Sequence, residues 1–192
     1  KTNFEKIIEL NPDLIIAWQS GNSHSAIQRL VELGYTVYVD QADSLQDVAR
    51  SIRDIGVLTA HSEQAESAAA AYLQQLKQVQ ERYKNAPKLR TFYQVWNSPL
   101  QTISGNHIIS EAIEICGGSN IYVDEFAVAP IINIESVLQR DPEVIIASGI
   151  SSARPEWLDQ WLQWDSIAAV KQDNLFYVHG DHIQRHTLRL LM

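Results

Sequence analysis

The residues of this 192-residue chain that could do chemistry are few: six histidines, one cysteine, and a set of tryptophans and arginines that follow apolar runs. In His179-Gly180-Asp181-His182-Ile183-Gln184-Arg185-His186, His182 and His186 stand four apart, the spacing that brings two imidazoles to one helix face and suits a metal ion. The loops of the first lobe offer only His24, Asp40 and Asp43 to complete such a site. Ser104-Gly105-Asn106-His107 puts a hydroxyl near an imidazole, but no Gly-x-Ser-x-Gly elbow frames it. Cys116 ends an apolar helix pattern, where a thiol packs, and a single cysteine closes no internal disulfide. Gly117-Gly118 follows a helix, whereas a phosphate-binding loop opens one. No nucleophile with its base emerges, so the chain does not read as an enzyme. What remains is binding chemistry. Trp18 and Trp96 each follow a strand-like run, and large aromatic faces hold flat ligands well. Phe126, with Ala129 and Pro130, lies in a loop that could line a pocket, and packing is the equal alternative. Arg154, His182 and Arg185 could donate hydrogen bonds to amide or phosphate oxygens, against the ordinary role of a surface cation. A tryptophan at a strand end also serves to cap a core.

These residues need elements to position them, and the apolar spacing supplies strands and helices in alternation. Asn11-Pro12 ends a first short helix, because the residue before proline is pushed out of the α region. Asp13 to Trp18 is a continuous apolar run, read as a strand buried on both faces. Ser20-Gly21-Asn22-Ser23 turns and caps a helix from His24 to Leu33, which Gly34 stops, and Tyr35 to Asp40 is the next strand. Ser44-Leu45-Gln46-Asp47 has the form of a capping box opening a helix to Leu58. Ser62 to Asn85 contains neither Gly nor Pro and is rich in Ala, which makes it the strongest helix, roughly 35 Å long. Beyond Ala86-Pro87 the pattern predicts strands over 89–95, 143–147 and 175–178, helices over 108–116, 135–140 and 156–164, and a last helix from His182. Such alternation predicts an α/β protein with parallel sheets.

Composition excludes several classes. With 15 Lys+Arg against 23 Asp+Glu the net charge is −8, and no basic run is present for nucleic acid or anionic lipid. Hydrophobic residues at 45% and charged residues at 20% are ordinary for a globular chain. No stretch approaches the roughly 18 apolar residues of a membrane span. The first residues lack the apolar core of a signal peptide, as a processed chain also would.

The chain also repeats itself. Phe4 to Ala17 aligns without a gap on Ile134 to Ala147, pairing Glu5 with Glu135 and Pro12 with Pro142 at a constant offset of 130. Two related lobes are expected, the first over 1–60 and the second over 87–192, with the helix of 61–86 between them. The second copy carries a strand and helix ahead of the repeat that the first lacks. The first lobe is therefore expected to be incomplete, with about forty residues upstream of Lys1 in a longer protein. An exposed apolar edge would favour pairing of the chain with a second copy.

The repeated Glu-x-Ile-x-x-Leu-x-Pro-Asp-type segment, the long central helix and Glu114-Ile115-Cys116-Gly117-Gly118-Ser119-Asn120-Ile121-Tyr122 resemble the class III substrate-binding proteins of ABC importers. Ile16-Ala17-Trp18-Gln19-Ser20-Gly21-Asn22 and the Cys-Gly-Gly-x-Asn-Ile segment are most similar to its cobalamin-binding members. The resemblance implies two Rossmann-like lobes joined by a rigid helix, and a ligand, cobalamin or a related corrinoid, held between them. Ferric siderophores or haem, and then zinc or manganese, are the alternatives on this scaffold. It implies no cofactor and an extracytoplasmic location, periplasmic or lipid-anchored. It further implies that Glu5 and Glu135 dock on an ABC permease dimer at the inner membrane. Two equivalent carboxylates on related lobes suit a two-fold symmetric partner, although a glutamate in a first helical turn is also favoured by the helix dipole alone. The family's cobalamin binders carry a tryptophan near the position of His182.

Overall fold

The structure is a computed structural model and describes residues 2–149 and 154–191. The chain divides into two units, residues 1–42 and 43–192, so the long helix belongs with the second.

The first unit is built on the first copy of the repeat. Helix α1 (Phe4–Leu10) starts where Asn3 accepts the Lys6 N–H at 3.0 Å. It stops at Asn11, whose left-handed backbone (φ 42°, ψ 58°) turns the chain toward Pro12. Strand β1 (Ile15–Trp18) then pairs in parallel with β2 (Val37–Asp40), and α2 (His24–Glu32) connects them. The expectation that this strand is buried on both faces does not hold: Ala17 is buried, but Ile16 is 51% exposed. A two-stranded sheet leaves one of its faces without a covering layer, so an apolar run there does not become core.

The second unit opens with α3 (Leu45–Leu58), started by the capping box in which Ser44 and Asp47 exchange hydrogen bonds. The 22-residue α4 (Ser62–Tyr83) packs against it. Gly56 makes the close approach possible, since a Cβ there would lie 2.2 Å from the Ala65 Cβ. Four parallel strands follow: β3 (Leu89–Gln94), β4 (Gly118–Asn120), β5 (Val144–Gly149) and β6 (Leu175–His179), in spatial order β4-β3-β5-β6. Helix α5 (Ile108–Ile115) joins β3 to β4, and α6 (Ile134–Arg140) joins β4 to β5. The Trp-rich segment expected to be an α-helix is a 3-10 helix over Glu156–Gln163, followed by the short α7 (Ala168–Lys171). The last helix, α8 (Gly180–Ile183), spans a single turn, and a 3-10 turn occupies Leu188–Leu191.

The core lies between this sheet and the 3-10 layer. Phe92, Tyr122, Val137, Ile145, Leu158 and Trp161 are buried together, with edge-to-face ring contacts at 5.9 Å for Phe92–Tyr122 and 5.5 Å for Phe92–Trp161. Such contacts add to burial, because ring edges meet ring faces of opposite partial charge. No helix among the described residues is long and apolar enough to cross a membrane.

Candidate functional site

In the first unit the residue of interest is Trp18. Its N–H donates to the Asn22 Oδ1 at 2.8 Å, and the Asn22 N–H returns to the Trp18 carbonyl at 2.9 Å. The ring lies against Gly21, where a Cβ would stand 2.4 Å from Cε3. The turn therefore holds the indole in one place while leaving the residue 49% exposed. Ser23, next in the chain, caps α2 by accepting the Ala26 N–H at 3.3 Å.

In the second unit all strands are parallel, so every chain leaving a strand's carboxyl end emerges on one edge of the sheet. Open α/β sheets bind ligands there. Trp96, Arg154, His182 and Arg185 follow β3, β5, β6 and α8 at that edge, and Phe126 lies in the loop after β4. Buried Gln94 anchors the Trp96 turn: its Oε1 accepts the Trp161 indole N–H at 2.7 Å, and its Nε2 donates to Asn97 Oδ1 at 3.2 Å. Trp96 is 61% exposed, with its own Nε1 donating to the Ser98 carbonyl at 2.9 Å. Phe126 is 99% exposed, which removes the packing alternative for that ring. Arg154 is exposed and paired with Asp159. Arg185 pairs with Asp181 at 3.0 Å. Exposed ion pairs of this kind contribute little stability, so both guanidinium groups remain exchangeable toward a ligand oxygen.

The four-residue spacing of His182 and His186 does not produce a shared helix face, because α8 ends at Ile183. His182 is exposed, its ring 6.2 Å from His179, whereas His186 meets His107 with centroids 5.8 Å apart. His107 caps α5 by accepting the Ile109 N–H at 3.1 Å on Nδ1. Burial, and then the neighbouring His186, push its imidazole down to about 4. Among the described residues no group of three or more His, Cys, Asp or Glu side chains is placed to hold a metal ion. Cys116, expected to pack, is exposed at the C-cap of α5.

The segment carrying His182 and Arg185 is fastened from behind. Ser148 Oγ lies 2.5 Å from the Tyr93 hydroxyl and accepts the Gln184 Nε2–H at 2.9 Å. Burial pushes the Tyr93 hydroxyl up to about 12, so it is a neutral hydrogen-bonding group. Neither Ser148 nor Gln184 stands out in the sequence, because their partners are distant along the chain. Asn22 and Asp181 could have been found, the first as the asparagine closing the Trp18 turn and the second by its spacing from Arg185. Glu5 and Glu135 are both exposed in the first turns of α1 and α6.

The chain is similar in sequence and fold to known proteins. The vitamin B12-binding protein of Vibrio cholerae is 34% identical over 190 residues, 98% of this chain and 68% of that protein. Its counterpart in Vibrio parahaemolyticus is 30% identical over 97% of this chain and 67% of its own length. The crystal structure of the periplasmic vitamin B12-binding protein of Vibrio cholerae superposes with a TM-score of 0.89 over all of this chain and 74% of that one, at 34% identity. The periplasmic haem-binding protein of the same organism shares the fold, with a TM-score of 0.84 at 18% identity over 100% of this chain and 77% of its own. A sequence model for the family described as periplasmic binding protein matches residues 1–182. The chain is therefore a member of the periplasmic binding protein family.

Proposed function

We propose that the chain is the extracytoplasmic substrate-binding component of an ABC importer, which captures cobalamin or a related corrinoid and delivers it to the permease. The observation that carries this reading is Trp18: a large aromatic face, half exposed and held rigidly by Asn22 and Gly21 beyond the carboxyl end of a strand. The similarity to a vitamin B12-binding protein, 34% identity, runs over 98% of the chain. A broad apolar ligand gains from such a face, because the side chain is already ordered and little entropy is lost on contact. Trp96 and Phe126 add aromatic surface, while Arg154, His182 and Arg185 supply donors for amide and phosphate oxygens. No bond is made or broken; the ligand is held and released. Glu5 and Glu135, one at the head of each repeat helix, are the permease-docking pair.

Haem is the second reading: an exposed imidazole such as His182 can ligate the cobalt or iron of a bound macrocycle.

Titration of the protein with cyanocobalamin, followed by tryptophan quenching, tests both readings. Wild type is expected to bind in the micromolar range or tighter, and Trp18→Ala to weaken binding by about 10- to 30-fold. Binding of haemin or a ferric siderophore without binding of cyanocobalamin would replace the corrinoid assignment. In the same series Glu5→Gln with Glu135→Gln is expected to leave affinity unchanged and to abolish delivery to the reconstituted permease; lost affinity would remove the docking role.

A further inference from the structure

We infer that Gln101 is a positioning residue for the binding surface: its backbone and side chain together hold an apolar rim of Trp96, Val128 and Ile131 in a preformed shape. The inference rests on the reading of this edge as a binding surface for a large planar ligand.

Three extended threads lie side by side at the carboxyl edge of the second unit's sheet, and Gln101 sits in the middle one. Toward the first thread, the Val95 N–H donates to the Gln101 carbonyl at 2.9 Å and the Gln101 N–H donates to the Trp96 carbonyl at 3.1 Å. Toward the third, Gln101 forms an antiparallel bridge with Ile131. Flanking bonds run from the Thr102 N–H to the Pro130 carbonyl at 3.1 Å and from the Ile132 N–H to the Leu100 carbonyl at 3.0 Å. The Ser104 N–H reaches the Val128 carbonyl at 3.0 Å. The half-buried Gln101 side chain completes the set, its Nε2 donating to the Ala129 carbonyl at 3.0 Å. The third thread is thus held at Val128, Ala129, Pro130 and Ile132, although it belongs to a connection with no strand or helix of its own between β4 and α6.

The side chains on this fixed backbone point outward instead of into a core. Ile131 is 67% exposed, and Trp96 and Val128 are more than half exposed. Clustered apolar surface marks places where something binds. Fixing the backbone beforehand removes the cost of ordering it from the binding step. A ligand that meets a fixed rim should therefore leave slowly, and one that must order a loose rim should leave faster. The carboxamide is what matters at position 101, because only it can donate to the Ala129 carbonyl; a carboxylate of the same size presents only acceptors.

The test compares wild type with Gln101→Glu and Gln101→Ala in two measurements on the whole protein. One is amide hydrogen exchange of Thr102, Ser104 and Ile132, whose N–H groups carry the bonds between the middle and third threads, and the other is the cyanocobalamin dissociation rate by stopped-flow tryptophan quenching. Both variants are expected to exchange about 10-fold faster at Thr102, Ser104 and Ile132 and to release the ligand about 5- to 20-fold faster, consistent with loss of one side-chain tie. The melting temperature is expected to stay within a few degrees of wild type. In Gln101→Glu, protection relative to wild type at the same pH is expected to recover as the carboxyl protonates and regains a donor, a pH response that Gln101→Ala lacks. Unchanged exchange in both variants overturns the proposal. So does faster exchange with an unchanged dissociation rate, since rim order would then be irrelevant to binding. Failure of wild type to bind cyanocobalamin overturns the corrinoid reading, while the exchange measurement still decides whether Gln101 holds the rim.

Discussion

The two copies of the repeat follow the same backbone path and reach different burial. Asn3 and Asn133 each accept the N–H three residues on, at 3.0 and 2.8 Å, to start α1 and α6. Asn11 and Asp141 each end the helix in the left-handed region, with φ 42° at both. Ile15 and Ile145 then enter their strands with N–H bonds of 2.9 Å to Thr36 and Asn174. Yet Ile145 is fully buried, while Ile15 is only partly so. β5 lies between β3 and β6 under the 3-10 layer, whereas β1 pairs with β2 alone among the described residues. Local chemistry set the path in both copies, and the number of neighbours set how much apolar surface each removes from water.

The largest consequence is energetic. Ile145→Ala is expected to cost about 2–5 kcal/mol and Ile15→Ala less than about 1.5 kcal/mol in denaturant unfolding. Equal losses would show that the two strands are equivalently buried and break the contrast.

Capping separates α5 from the repeat helices next. Asn3 and Asn133 do not titrate, but the His107 cap does, with its imidazole pushed down to about 4 by burial and by His186. The unfolded chain takes up a proton near the ordinary histidine value of about 6.5, well before the folded one does. Stability is therefore full above pH 6.5 and is lost as pH falls toward 4, by at most about 3 kcal/mol. His107→Asn keeps a cap acceptor and is expected to flatten this part of the pH profile measured by thermal melting. A profile unaltered by that change would assign the acid sensitivity elsewhere.

The smallest contrast is at the left-handed residues. Asp141 does more than turn the chain: Oδ1 accepts the Ala168 N–H at 2.9 Å and Oδ2 pairs with Arg90 at 3.3 Å. Asp141→Gly is expected to cost about 1–2 kcal/mol, while Asn11→Gly stays within about 0.5 kcal/mol. A calorimetric comparison that found both neutral would remove Asp141 as the tie between α6 and α7.

Much of the fold was legible in the residues. The Ser44–Asp47 capping box, the Ala-rich α4, the strand runs and the constant offset of 130 between Glu5 and Glu135 all correspond to elements found in place. β4 was not legible, because three residues, Gly118-Ser119-Asn120, carry no period. The Trp-rich 3-10 helix kept helical spacing while its tryptophans served the core: Trp161 packs on Phe92 at 5.5 Å and bonds Gln94. Among the candidate residues, Trp18, Trp96 and Phe126 could be picked out by type and by place after strands. Ser148, Gln184 and Gln101 were passed over, because their roles depend on what they meet. The pairing of His182 with His186 failed for the complementary reason: the sequence offered the spacing, but the helix stops one turn too early to use it.

What this chain determined by sequence alone is its alternation of elements, its duplication and its chemical character as a binder with aromatic and cationic groups after strands. Caps, left-handed stops and apolar periods act within about five residues, so they are present before the chain has folded around them. Tertiary structure decided which apolar residues became core and which became exposed rim. It also made the side-chain ties that hold the rim and α8, from Gln101 to Ala129 and from Ser148 to Gln184. Those bonds join residues 28 and 36 positions apart, and they exist only once parallel strands have brought their carboxyl ends to one edge.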